Sequence, residues 1–75
     1  MMSQDISKYS LNIPRARAAA AFKGLTQAQI ALEMPVSPAT VSKWFSGSTK
    51  VWSYRNRKRL SEVLGVAESY LFNEE

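Results

Sequence analysis

The chain has no cysteine and no histidine. Without cysteine it can build neither a disulfide staple nor a thiolate metal site, which suits a reducing compartment. Without histidine it lacks the commonest general base and metal ligand at neutral pH. Glycine is sparse: three residues, far apart, leave no glycine-rich loop to cradle a phosphate. No apolar run approaches the roughly 20 residues that span a bilayer, and the opening MMSQDISKYSLNIP lacks the basic-then-apolar order of a secretory signal. A soluble, cytoplasmic protein is expected. The six acids (Asp5, Glu33, Glu62, Glu68, Glu74 and Glu75) suggest no pair for acid–base work. Ser42 beside Lys43 is no nucleophile–base pair, because adjacent helical residues point apart. Catalytic residues, a metal, a cofactor and a small-molecule substrate are therefore not expected.

What is present fits one small helical domain. Seventy-five residues hide only about 60% of their unfolded surface on folding, yet 45% hydrophobic and 11% aromatic residues suffice for a packed core. The formal charge is +4, and its distribution says more than its total. All ten Lys and Arg lie between Lys8 and Arg59, where Glu33 is the single acid, so that window carries +9. From Leu60 onward there are four glutamates and no base. Such segregation is the footprint of a cationic face turned to a polyanion. A merely solubilising surface is the plainer alternative, but mixed signs would serve that equally well.

Residues 1–13 read as an N-terminal arm, 14–72 as the folded domain and 73–75 as a tail. Pro14 suits the first position of a helix that runs through RARAAAAFK to Gly24. LTQAQIALEM opens a second helix, with Thr26 and Gln29 in a capping box and Leu25 and Ile30 placed as a hydrophobic staple. Pro35 ends it at or near Met34. Ser37 as cap and Pro38 at the first position start a third helix, closed by Gly47. At about 100° per residue, Val41, Trp44 and Phe45 fall on one side of it and Ala39, Ser42, Lys43 and Ser46 on the other. Ser53 caps a fourth helix, YRNRKRLSEVL, up to Gly65. AESYLF forms a short fifth with Tyr70, Leu71 and Phe72 turned inward. No window shows sustained strand alternation, so an all-α bundle of about five short helices is expected.

Two short helices joined by a tight turn, the second polar and cationic outside, make a helix-turn-helix unit over about 26–47. Its second helix is of a size to enter the major groove of DNA. At these residues the sequence resembles the Cro and phage-repressor type of helix-turn-helix regulators. GLTQAQIALEMPVSPATVSKWFSG carries the match and LSEVLGVAESYLF supplies the following helices, so it covers roughly 14–72. The resemblance implies a lambda-repressor-like DNA-binding domain, of phage or prophage type, acting as a repressor on double-stranded operator DNA. It implies that Gln27 bonds a phosphate, that Pro38, Ala39, Thr40 and Lys43 face base edges or adjacent phosphates, and that Ser46 and the loop Ser48–Thr49–Lys50 touch the backbone. Three positions depart from the family pattern. Pro35 stands where glycine is usual, Pro38 and Ala39 stand where relatives often carry glutamine, and Arg57 takes a usually apolar place.

Residue by residue, Lys43 can donate to guanine O6/N7, or else pair with phosphate or solvent alone. Ala39 and the Thr40 methyl can sense thymine methyls or simply permit close approach. With so few donors, DNA shape or bridging water would carry part of the specificity. Ser42 shares the outer face of the third helix and joins the expected phosphate contacts. In the RNRKR run, positive charge opposes the helix dipole, so an outside anion is expected on Arg55, Lys58 and Arg59; the plain alternative is a solvated charged face with Arg57 snorkelling over the core. Trp44 reads as core. Val51 and Trp52 either lid the core or face a second copy. Lys8, Arg15 and Arg17 near the arm carry only a weak suggestion of DNA contact.

A homodimer on a palindromic operator is expected, half-sites about one helical turn apart, with Val51–Tyr54 and the YLF tail as competing dimer surfaces. An antitoxin-like module that neutralises a protein partner and autoregulates through its helix-turn-helix is a second reading. Sequence-indifferent binding to RNA or membrane through the basic face is a third.

Overall fold

The computed structural model describes residues 9–49 and 51–74. Four of its helices begin where a side chain takes up a free amide of the first turn. Asn12 Oδ1 accepts from Arg15 N at 3.2 Å and opens α1, Ile13–Lys23. That start lies one residue ahead of the expected Pro14, because the asparagine upstream supplies a better cap than the isoleucine between. Thr26 opens α2, Gln27–Glu33, through the full capping box: Gln29 N donates to Thr26 Oγ1 (3.1 Å) and Thr26 N donates to Gln29 Oε1 (2.8 Å). Ser37 opens α3, Pro38–Ser46, accepting from Thr40 N at 3.2 Å. Ser53 opens α4, Tyr54–Leu64, accepting from Asn56 N at 3.1 Å. The last helix, α5, is the single turn Glu68–Leu71.

α3 stops at Gly47, where φ is +83°, a left-handed conformation in which any side chain would be strained. α2 stops differently. Met34 keeps right-handed angles (φ −70°, ψ −27°), and the Val36 amide reaches back to Ala31 O at 2.9 Å. Among the described residues only the three glycines have positive φ, so the α2–α3 turn is made without one. Pro35 requires this, since proline can neither adopt positive φ nor donate a hydrogen bond.

α1 lies at the centre, in contact with α3, α4 and α5, while α2 packs on α3. Its buried face is all alanine (Ala16, Ala19 and Ala20), which lets its neighbours come close. Ile30, Val41, Leu60, Leu64 and Leu71 fill the space around it. A second layer of the core is aromatic. Trp52, in the α3–α4 loop, lies with its ring centroid 5.0 Å from that of Trp44 and 4.8 Å from that of Phe72. Of the two roles open to Trp52 from sequence, it takes the core; its neighbour Val51 is 85% exposed.

The five-helix bundle is therefore present, with an addition. Tyr9–Leu11 forms β1 and Phe72–Glu74 forms β2, an antiparallel pair with Tyr9 opposite Glu74 and Leu11 opposite Phe72. Asn12 N extends the ladder to Leu71 O at 2.7 Å. Strands of three residues are too short to show an alternating pattern. Their partners lie at opposite ends of the chain, so this ribbon could not be read locally. It corrects three expectations: residues 9–11 of the segment read as an arm and residues 73–74 of the segment read as a tail are strand, and Phe72 belongs to β2, not to the fifth helix. Tyr70 is also corrected. It is 42% exposed instead of inward-facing, and the Arg15 guanidinium lies over its ring at 4.7 Å.

Candidate nucleic-acid interface

α3 presents two chemically distinct sides. Val41, Trp44 and Phe45 are buried and hold the helix to the core. Pro38, Ala39, Ser42, Lys43 and Ser46 are exposed. Thr40 lies between these sides, half-buried, with its Oγ1 2.9 Å from Ser37 Oγ. That bond fixes the threonine rotamer and leaves its methyl as the free part. The outer surface of α3 is thus built of short side chains, Ser42 and Ser46 among them, with a single long cationic side chain at its middle. Neither ion pair among the described residues involves Lys43.

At the far end of α3 the serines form a knot. Ser46 Oγ donates to Lys43 O at 2.9 Å and lies 2.9 Å from Ser48 Oγ, while Ser48 Oγ is 3.3 Å from the same carbonyl. These hydroxyls complete the last turn of the helix. To give a proton to a phosphate, either serine must release one of these bonds. Thr49 is half-buried, and Lys50 lies outside the described residues.

Two clefts flank α2. The first, of about 270 Å³, is lined by Gln27, Arg17 of α1 and Phe45 of α3 among others. It brings the exposed amide of Gln27 beside a guanidinium-bearing residue that the sequence singled out only weakly. Arg17 is therefore the cleft-lining residue that sequence reasoning undervalued. The signal that could have found it is helical phase: Ala16, Ala19 and Ala20 go inward, which turns Arg17 outward. The second cleft, of about 520 Å³, lies between the Met34–Val36 turn and the start of α4, with Arg55, Asn56 and Arg59 along its wall.

The basic run of α4 separates into different roles. Arg55 and Lys58 are exposed. Arg57 is drawn inward, its side chain only 12% exposed, where Nε donates to Glu68 Oε2 at 2.8 Å and Nη1 to Trp52 O at 2.8 Å. The Tyr9 ring lies 3.8 Å from its guanidinium carbon. A cation thus fills a usually apolar place because an acid, a carbonyl and an aromatic face receive it together. Arg59 donates to Glu33 O from Nε (3.2 Å) and Nη2 (3.0 Å), and stands 3.7 Å from Glu62. Arg15 donates to Tyr70 O at 3.2 Å and binds α1 to α5. Of the two expected dimer surfaces, each is divided: Val51, Tyr54 and Tyr70 are exposed, whereas Trp52, Leu71 and Phe72 are buried.

No helix among the described residues is long and apolar enough to cross a membrane. A helix-turn-helix family model matches residues 23–71, a span that contains both clefts' α2–α4 walls and all of α3. The crystal structure of a putative DNA-binding protein from Bacteroides fragilis is similar over 87% of this chain and 98% of its own, at 26% sequence identity and a TM-score of 0.70. Among curated proteins, none matches the chain.

Proposed function

This chain belongs to the helix-turn-helix family of the Cro and phage-repressor type, and from that premise we propose that it is a repressor that reads a palindromic operator with α3 in the major groove. It binds DNA as a regulator and acts by occupying its site in place of polymerase, without chemistry of its own. The observation that carries this reading is the exposed side of α3. It is small enough to approach base edges closely, it bears one long donor, Lys43, and buried Val41, Trp44 and Phe45 hold it rigidly from behind.

In this reading Lys43 donates to guanine O6 or N7, while Ala39 and the Thr40 methyl touch thymine methyls beside Pro38. Gln27, Ser42, Ser46, Ser48, Thr49 and Lys50 contact phosphate, as do Arg55 and Lys58 on α4. Arg17 joins them, since it borders the same cleft as Gln27. Two copies bind together, half-sites about one helical turn apart, in the cytoplasm at the nucleoid.

Selection of bound duplexes from a random pool by the purified chain tests the proposal directly. Recovery of a two-fold symmetric site is expected; an enriched pool indistinguishable from the input would remove sequence-specific regulation. With a selected site in hand, Arg55→Ala is expected to lower affinity on all duplexes alike. The slope of log K against log salt should become shallower by about one unit. An unchanged slope would place Arg55 in solvent, away from phosphate.

A further inference from the structure

Pro35 removes a backbone donor just where α2 ends. The Met34 amide goes to Ile30 O at 2.9 Å, and the Val36 amide passes over one residue to Ala31 O at 2.9 Å. Leu32 O and Glu33 O therefore receive no backbone amide among the described residues. Both belong to a helix C-terminus, where partial negative charge collects on unpaired carbonyls. Arg59 of α4, 26 residues further along the chain, answers one of them with a two-pronged bond from Nη2 and Nε to Glu33 O. The planar guanidinium suits this geometry, whereas a lysine ammonium carries the same charge without the fork.

We propose that Arg59 is a positioning residue for DNA recognition. By holding the end of α2 on α4, it sets the orientation of α3 relative to Arg55 and Lys58. The inference rests on the reading of α3 as the base-reading helix and of α4 as a phosphate grip. Those two functions lie on elements joined by a loop, Gly47–Ser53, and the bond from Arg59 to Glu33 O spans the other side of the same assembly. Only three residues separate Glu33 from Ser37, the cap of α3. A tilt at the end of α2 is therefore passed to α3 within one short turn. Arg59 then acts through the pose of α3, and its charge on phosphate is secondary.

Arg59→Lys and Arg59→Gln separate the two roles. If Arg59 positions α3, both variants lose affinity for the selected duplex by about tenfold, because fewer molecules hold the competent pose. Both then keep the salt slope of the parent chain on random duplex. Backbone amide resonances of Val36, Ser37 and the first turn of α3 shift in the free Arg59→Lys protein, while those of α5 stay in place and report that the domain is folded. If Arg59 is instead a phosphate contact, Arg59→Lys binds like the parent and Arg59→Gln alone flattens the slope by about one unit, which overturns the proposal. Unshifted amides in a folded Arg59→Lys protein overturn it as well. A parent chain that binds every duplex alike overturns the DNA reading itself; a parent that discriminates, with Arg59→Lys equal to it, overturns this inference alone.

Discussion

Lys43→Ala is expected to weaken binding to the selected duplex by about ten- to a hundredfold, the equivalent of about 1–3 kcal/mol for one good base contact. The loss is large because no other long donor lies on the exposed side of α3. Pro38 and Ala39 have no polar side-chain atom, and the Thr40 hydroxyl is engaged with Ser37. The helix itself should persist, since its caps at Ser37 and Gly47 and its buried side are untouched. Two measurements check this. Anisotropy titrations on selected and random duplexes should show a larger loss on the selected one. A repeated selection with the variant should show relaxed preference at one or two base pairs. Equal loss on both duplexes with an unchanged sequence profile would assign Lys43 to phosphate and leave specificity to groove shape.

Trp52→Ala is expected to remove about 3–5 kcal/mol of stability. A domain of this length has roughly 4–11 kcal/mol in all, so the variant should lose a large part of its stability and unfold at a much lower urea concentration than the parent. The ring lies between Trp44 and Phe72, and through them it joins α3, the α3–α4 loop and the β ribbon. Trp52→Phe should behave very differently, changing stability by less than about 1 kcal/mol. Trp52 Nε1 is buried without a hydrogen-bond partner among the described residues. Phenylalanine gives up some packing but relieves an unmet donor, which by itself costs about 1–3 kcal/mol, and these changes oppose each other. Urea denaturation of the two variants provides the comparison. A phenylalanine variant as unstable as the alanine one would mean that the indole donor is engaged after all.

The arginines of α4 show how little one-dimensional reading says about a charge. Arg55 and Arg59 stand in RNRKR with nothing local to tell them apart, whereas Arg57 between them falls at a usually apolar place. In the fold one stays in solvent, one enters a cage of Glu68, Trp52 O and Tyr9, and one closes an open helix end at Glu33. The partners come from β1, α2, α5 and the α3–α4 loop, so the choice is made only when those elements meet. Arg57 also lowers the charge available to DNA: one of the ten bases is neutralised internally by Glu68.

The sequence by itself determined α2, α3 and α4, their caps at Thr26, Ser37 and Ser53, and the inward phase of α3. A cap acts over three residues and a helical face over three or four, so Thr26 with Gln29, Ser37 with Thr40, and Val41 with Trp44 and Phe45 carry their instructions within reach of each other. Tertiary structure alone decided the pairing of β1 with β2, the burial of Trp52, the exposure of Tyr70, the fates of Arg15 and Arg59 and the partners that receive Arg57. Each of these depends on groups far apart in sequence. A short strand or a long cation has no preference strong enough to choose its place until the packed core brings a partner within hydrogen-bond distance.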